Sequence, residues 1–353
     1  MARQLMKGNE AIAEAAIRAG CRAFFGYPIT PQNEIPEYMA AHMAENGGVF
    51  VQAESEVAAI NMVYGAAAAG FRAMTSSSSP GISLKQEGIS YIAASDLPCV
   101  IVNIMRAGPG LGGIQSAQGD YFQAVKGGGH GDYKLLVFAP ASIQEAVDLM
   151  FVAFDKADQY RMPAMILGDG MIGQMMEPVE LPPAVDLQSL PEKPWCLRGW
   201  DGQGERRVVS SLRIQPEDLE PYLNEQMKKW ERIKEDEARA EEYRAEDAEI
   251  LLTAYGTPAR ICKSAVEILR AEGIKAGLIR PITLFPFPDR AFRYHAARPE
   301  VRGFVSVELS TGQMIEDVRL AVDGKKPVSF FGRCGGAVMS EDEIVAFVKG
   351  GAF

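Results

Sequence analysis

Three short runs in this chain carry side chains that could act on a carbonyl or a carboxylate. In Val51-Gln-Ala-Glu-Ser-Glu-Val-Ala-Ala-Ile60, Glu56 stands where a chain entering a core would ordinarily place an apolar residue. Val49 to Ala53 reads as a short strand, and Val57 to Ala69, small and apolar up to Gly70, reads as a buried helix with a glycine terminus. A carboxyl group at such a junction loses water on most sides, a setting in which it can hold or share a proton near neutrality. The run Gly26-Tyr-Pro-Ile-Thr-Pro31 follows the apolar strand Arg22-Ala-Phe-Phe25. Pro28 and Pro31 fix the backbone and remove two amide donors, so Thr30 sits on a stiff turn. A third strand, Cys99 to Ile104, runs into Met105-Arg-Ala-Gly-Pro-Gly-Leu-Gly-Gly113 and delivers Arg106 beside glycines that allow a ligand close to the backbone. A hydroxyl, a carboxyl and a guanidinium thus stand at three strand ends, the edge where open α/β sheets bind ligands.

Each of these residues also has a plain structural reading. Glu56 could be an acid favoured by a helix N-terminus, with Ser55 as the cap. Thr30 could satisfy the backbone between its two prolines, and Arg106 could pair with an interior acid. Glu54 competes with Glu56: strand alternation puts both on one side only if the strand runs that far, so periodicity does not separate them. The Thr75-Ser-Ser-Ser-Ser-Pro-Gly81 stretch reads as a polar, flexible loop with no site role.

The elements that must position these residues alternate strand and helix. Strands are expected at 22–26, 49–53, 72–75, 99–104, 134–138 and 164–167, with helices such as 8–19 and 142–157 between them. That is a doubly wound α/β pattern with a mainly parallel sheet. Residues 178–222 hold many prolines and little periodicity, a connecting arm, and 224–247 reads as a charged surface helix with a contact stripe of Met227, Trp230 and Ile233. A second α/β unit opens at Glu249, with a helix over 257–272 started by Thr257-Pro258 and strands near 275–280, 303–308 and 327–331.

The chain's 353 residues exceed the usual size of one core, which predicts two domains. A net charge of −10 argues against nucleic acid or an anionic membrane as the main partner. No apolar run has the length of a signal core or a membrane span. The five cysteines are scattered without a Cys-x-x-Cys pair, against a contiguous iron–sulfur motif or a disulfide framework, and a cytoplasmic chain with reduced thiols is expected. The three histidines lack ligand spacing. Two motifs mislead. Gly108-x-Gly110-x-x-Gly113 with Asp132 imitates a dinucleotide fingerprint, but Asp132 precedes the next strand instead of ending it. Gly168-Asp-Gly170 imitates the start of a magnesium–diphosphate motif, but the asparagine that should close it comes only at Asn224.

Residues 7–180 resemble the pyrimidine-binding domain of the alpha subunit of thiamine-diphosphate-dependent 2-oxoacid:ferredoxin oxidoreductases. The matching stretches are Gly8-Asn-Glu-Ala-Ile12, the Gly-Tyr-Pro-Ile-Thr-Pro run, Ser55-Glu56 with the alanine-rich helix to Gly70, Met105-Arg106-Ala-Gly-Pro109, and Gln118-Gly-Asp120. Residues 248–353, with Arg280-Pro-Ile-Thr-Leu-Phe-Pro-Phe-Pro288, are similar to the family's transketolase C-terminal-like domain. The resemblance implies a pyrimidine-binding domain over 1–180, an arm and charged helix over 181–247, and the smaller α/β domain over 248–353. It implies that the Glu56 carboxyl contacts the aminopyrimidine of thiamine diphosphate and supports its imino tautomer. Arg106 would hold the substrate carboxylate, Thr30 would donate to the keto oxygen or cofactor, and Pro28 and Ile29 would line the cofactor pocket. Mg2+, the diphosphate contacts and iron–sulfur clusters are expected on partner subunits: a beta subunit, with gamma and ferredoxin-like delta subunits. The implied reaction is the coenzyme A-dependent oxidative decarboxylation of a 2-oxoacid with ferredoxin as acceptor. Length and the charged linker point to the branched-chain (3-methyl-2-oxobutanoate) type, with pyruvate or 2-oxoglutarate as alternatives. A nicotinamide-dependent dehydrogenase and a non-catalytic scaffold subunit stand as rival readings.

Overall fold

The chain places short apolar runs in central strands that are buried on both faces. The computed structural model describes residues 3–200 and 202–353. In chain order the strands are β1 (Gln4–Lys7), β2 (Ala23–Gly26), β3 (Val49–Gln52), β4 (Ala73–Ser77), β5 (Cys99–Met105), β6 (Leu136–Phe138), β7 (Pro163–Asp169), β8 (Met176–Val179), β9 (Ala240–Tyr243), β10 (Ile250–Thr253), β11 (Ala276–Pro281), β12 (Thr283–Phe285), β13 (Gly303–Glu308) and β14 (Val328–Gly332). The helices are α1 (Gly8–Arg18), α2 (Glu34–His42), α3 (Glu56–Ala68), α4 (Ser79–Ala94), α5 (Tyr121–Val125), α6 (Ile143–Tyr160), α7 (Gly170–Gln174), α8 (Pro216–Asp236), α9 (Gly256–Ala271), α10 (Asp289–Ala296), α11 (Met314–Val322) and α12 (Glu341–Lys349).

Seven strands form the first sheet in the order β12-β6-β7-β5-β4-β2-β3, parallel except for β12. Every residue of β5 and β7 is buried, as expected of central parallel strands that read as continuous apolar runs. Helix α1 packs on α2 and α6, and α3 packs on α4. A second sheet, β14-β13-β10-β11-β9, is parallel apart from its edge strand β9. The expected α/β architecture, a doubly wound parallel-sheet domain and a smaller second α/β unit, is the one observed.

Several expectations need correction. Thr75–Ser77 is not loop but the buried end of β4, and Ser79 opens α4 directly; the hydroxyls are folded into the interior. The charged helix begins at Pro216, not near 224, and ends at Asp236; Pro216 sits in its first turn and Pro221 lies inside it. On that helix Ile233 is buried and Trp230 half-buried, while Met227 is exposed and forms no part of the contact stripe. The residues beyond it form β9, expected as helix. Two pairings also escaped the reading, β1 with β8 and β12 with β6, because each joins segments far apart in sequence. Among the described residues no helix is long and apolar enough to cross a membrane.

Buried polar side chains lock the two α/β units together. Asp169, at the end of β7, accepts from the Thr257 amide (2.8 Å) and hydroxyl (2.7 Å) at the start of α9. It also accepts from Ser116 Oγ and from the Met171 and Ile172 amides, so it caps α7 as well. Gln118 donates to Tyr255 O and accepts from the Leu309 amide. Arg280 makes a two-toothed contact with Glu145 (2.9 and 2.7 Å) and a third bond to Glu241 (2.6 Å). Removing a buried acceptor strands its donors at about 1–3 kcal/mol each. Asp169→Ala should therefore lower stability by about 3 kcal/mol. Urea denaturation checks this, and an unchanged midpoint would show that the clamp is dispensable.

Candidate active site

The carboxyl ends of β2, β4 and β5 and the starts of α3 and α4 meet at one edge of the large sheet. Ser55 leaves the β3–α3 connection in extended conformation and its hydroxyl accepts from the Ala58 amide (3.2 Å), which caps α3. That cap turns Glu56 inward and Glu54 outward: Glu56 is buried and Glu54 exposed. The structure thereby separates the two acids where periodicity did not. The Glu56 carboxyl rests on the first turn of α4. A Cβ at Gly81 would lie 2.7 Å from Glu56 Oε1 and would collide with Ser77 Oγ, so only glycine leaves room there. The amino end of a helix favours a negative group, which suits a carboxylate in this place. No hydrogen-bond donor reaches that carboxyl among the described residues, and the buried hydroxyls of Ser77 and Ser78 also lack partners.

The Gly-Tyr-Pro-Ile-Thr-Pro turn leaves β2 and is held by side chains from three elements. Asn9 of α1 and Gln174 of α7 both donate to Pro31 O (2.8 and 2.7 Å). Ser76 of β4 donates to Gln32 Oε1 (2.5 Å), and Gln32 donates in turn to Tyr27 O. The Thr30–Pro31 peptide is cis. Thr30 and Pro28 are exposed and Ile29 half-buried. The Thr30 hydroxyl has no partner among the described residues, so it does not satisfy the local backbone.

Arg106 is buried at the end of β5, and its guanidinium donates to Thr30 O (3.0 Å) and Leu111 O (3.2 Å). Its Nε is buried without a partner, and among the described residues it has no carboxylate partner. The interior ion pair that would make it structural is not there. Ser79 ties this strand end to α4, accepting from the Arg106 amide (3.0 Å) and donating to Asp120 (2.6 Å). Asn103 donates to the same Asp120 oxygen (2.9 Å) and accepts from the Ser79 amide. Burial pushes the Asp120 carboxyl above the usual carboxylate range, against the two hydrogen bonds that pull it down. Arg106, Ser79 and Asp120 line a cleft of about 470 Å3 whose far wall is formed by Ser310, Gln313 and Cys334 of the second unit. Another cavity of about 550 Å3, beneath α8, shares no residue with it.

The structure therefore joins Thr30 to Arg106 directly. No hydrogen bond or ion pair links Glu56 to either; it is connected to them through the first turn of α4. Sequence reading missed Ser77 and Ser79, taken for loop, and Lys85. Lys85 lies one turn beyond Gly81, fully buried, with Nζ donating to Thr75 Oγ1 (2.7 Å) and Ser76 O (3.1 Å).

No helix follows β5 at Gly113, as a dinucleotide site requires, and Asp169 is wholly engaged by the α7 and α9 termini. Among the described residues no group of three or more His, Cys, Asp or Glu side chains is placed to hold a metal ion.

The chain is a two-unit α/β protein with a buried acid at a strand end. The model for the thiamine-diphosphate-binding domain of pyruvate flavodoxin/ferredoxin oxidoreductases matches residues 14–207, and that for pyruvate:ferredoxin oxidoreductase core domain II matches 248–344. The ketoisovalerate oxidoreductase subunit VorB of Methanothermobacter thermautotrophicus is 49% identical over 99% of this chain and 98% of its own. A solved 2-oxoglutarate:ferredoxin oxidoreductase from Magnetococcus marinus, with 2-oxoglutarate, coenzyme A and succinyl-CoA bound, superimposes with a TM-score of 0.85 at 25% identity over 99% of this chain. This chain spans 65% of that chain's length. A split-gene transketolase, in an inactive beta4 tetramer, shares the fold alone, with a TM-score of 0.58 at 14% identity over 98% of each chain. The chain belongs to the 2-oxoacid:ferredoxin oxidoreductase family and is an oxidoreductase subunit.

Gly81→Ala tests the seat of Glu56. The added methyl must displace the Glu56 carboxyl or Ser77, an overpacking that costs about 1–3 kcal/mol. Turnover of the assembled enzyme should fall at least about tenfold, equivalent to roughly 1.4 kcal/mol. Wild-type turnover with a normal melting point would show that Glu56 is not held against this turn.

Proposed function

We propose that this chain supplies the aminopyrimidine side of a shared thiamine-diphosphate site in a cytoplasmic, hetero-oligomeric 2-oxoacid:ferredoxin oxidoreductase. Residues 1–180 would form the pyrimidine-binding domain, 181–247 the arm and charged helix, and 248–353 the transketolase C-terminal-like domain. The observation that carries this reading is Glu56: a buried carboxyl, seated on a glycine turn, with no donor of its own and partnerless hydroxyls beside it. A ring nitrogen that carries or accepts a proton is the partner such a group fits. Thiamine diphosphate, when bound, supplies the carbanion chemistry on the 2-oxoacid. Glu56 would hold the proton at the ring nitrogen, and Pro28, Ile29 and Thr30 would form the turn against which the ring is placed. Mg2+, the diphosphate contacts and iron–sulfur clusters are assigned to partners, a beta subunit with gamma and ferredoxin-like delta subunits.

For the substrate, Arg106 offers a buried guanidinium whose charge no acid among the described residues neutralises, and whose Nε–H has no partner. A carboxylate satisfies both needs with paired, charge-assisted hydrogen bonds. The Thr30 hydroxyl, without an intrachain partner, would donate to the keto oxygen. The net reaction consumes a 2-oxoacid and coenzyme A. It breaks the bond between the carboxylate and keto carbons and forms a thioester. It releases CO2 and one proton and passes two electrons singly to two ferredoxins. 3-Methyl-2-oxobutanoate is the substrate proposed, supported by the ketoisovalerate subunit's 49% identity against 38% for a 2-oxoglutarate synthase subunit. Comparing it with pyruvate and 2-oxoglutarate on the assembled enzyme tests that choice. A higher kcat/KM for either rival overturns it.

Glu56→Gln keeps the volume but cannot carry the proton. Loss of one acid–base partner typically costs ~10²–10⁴ in rate, so turnover of the assembled enzyme should fall by that factor while the subunits still assemble. Full activity in this variant, with Glu54→Gln inactive, would move the role to Glu54. Arg106→Lys keeps the charge but loses the planar fork. A charge-assisted hydrogen bond contributes roughly 1.5–3 kcal/mol, so kcat/KM should drop about ten- to a hundredfold with every 2-oxoacid. Unchanged kinetics with a lowered melting point would falsify the substrate role.

A further inference from the structure

Arg106 is held at its peptide as well as at its tip. The amide donates to Ser79 Oγ at 3.0 Å, and that hydroxyl is committed in turn, donating to Asp120 Oδ2 at 2.6 Å. Asn103, three residues before Arg106 on β5, donates to the same carboxylate oxygen at 2.9 Å and accepts from the Ser79 amide at 3.2 Å. Asp120 is the one charged member of this set. The residues around it are fastened to the second unit at the start of α11. Gly119 O accepts from Gln313 Nε2 and the Phe122 amide donates to Gln313 Oε1, both at 2.8 Å, and the Tyr121 hydroxyl donates to Asp317 at 2.7 Å. An unbroken line of hydrogen bonds and backbone thus runs from α11 through Asp120 and Ser79 to the Arg106 peptide.

We infer that Asp120 is a positioning residue for Arg106: through Ser79 it fixes the peptide from which the guanidinium reaches the substrate, and it carries the hold of the second unit across to that group. The inference rests on the reading of Arg106 as the residue that holds the substrate carboxylate. The Ser79 hydroxyl has one proton and two acceptors within reach, Asp120 Oδ2 at 2.6 Å and Arg106 O at 3.3 Å. The shorter, charge-assisted bond takes the proton, which leaves the hydroxyl oxygen turned to the Arg106 amide. Without the carboxylate the proton swings toward Arg106 O, the amide loses its aligned acceptor, and Asn103 loses its own. Nothing at the other end of the side chain corrects such a shift. Among the described residues the guanidinium bonds only two backbone carbonyls, Thr30 O and Leu111 O, both in turns. A paired grip on a carboxylate depends on the placement of both N–H groups, so a displaced peptide weakens it.

Steady-state kinetics of the assembled enzyme test the line at each link. Asp120→Ala should raise KM for every 2-oxoacid and lower kcat/KM about tenfold, the scale of one charge-assisted hydrogen bond. Because ground and transition states share the carboxylate grip, kcat should stay near wild type, as should KM for coenzyme A. Asp120→Asn keeps an oxygen that accepts from Ser79 and Asn103, so it should restore the wild-type KM. Ser79→Ala cuts the same line in the middle and should reproduce the Asp120→Ala defect; it carries the test if Asp120→Ala does not fold. In an Arg106→Lys background neither change should add to the loss, because residues that act through one group are not additive. A wild-type KM for 2-oxoacids in Ser79→Ala and Asp120→Ala, with only a lowered melting temperature, overturns the inference in favour of a purely structural role. A defect that adds in full to that of Arg106→Lys overturns it too, since Asp120 then acts on its own. Unchanged kinetics in Arg106→Lys alone would instead sink the carboxylate reading, and the inference with it.

Discussion

Exclusion of water from one edge of a parallel sheet governs this molecule. Parallel strands buried on both faces leave their carboxyl ends as the place where polar chemistry can be concentrated. Every polar group there must then be satisfied by its neighbours. Asn103, Ser79 and Asp120 form one closed set, and Lys85, Ser76 and Gln32 another. The Arg106 Nε and the hydroxyls of Ser77 and Ser78 are among the buried polar groups left without a partner among the described residues.

The second α/β unit contributes more than an appended domain. It forms the far wall of the Arg106 cleft, and its α9 terminus is fixed to the first sheet by Asp169. Glu308, fully buried at the end of β13, accepts from the Gln313, Met314 and Ile315 amides and so holds the start of α11 beside the cleft. The opening is thus framed by the Glu308-held start of α11 on one side and by the end of β5 and the start of α4 on the other. Such ends are stiff, because their otherwise orphan amides are already bonded.

Legibility in the sequence followed the range of the interactions involved. Glu56 and Arg106 stood out because each breaks an apolar pattern at a strand end, and local pattern is what a sequence displays. The central strands were legible for the same reason, β13 to the residue. The Thr75–Ser79 run was misread because hydroxyl-rich segments are usually loops; here Lys85 donates to the Thr75 hydroxyl, the Ser79 hydroxyl donates to Asp120 and the Ser79 amide donates to Asn103, partners that lie outside the run. The helix was expected to begin later, after the proline-rich arm; it starts at Pro216 and runs through Pro221, supported by Trp230, Ile233 and the Lys229–Asp96 ion pair. Lys85 was overlooked because a lysine in a helix normally marks the wet face, and only coordinates reveal that this one points inward.

Strand β12 has one further consequence. It belongs by sequence to the second unit, yet it pairs antiparallel with β6 and closes that end of the first sheet. A gene divided between the two units would leave the amino-terminal product with the backbone of β6 unpaired and open to any extended chain. Such an edge invites self-association. The two units are therefore joined by a strand pairing as well as by their shared cleft, and a division in the arm that precedes the charged helix would uncover β6.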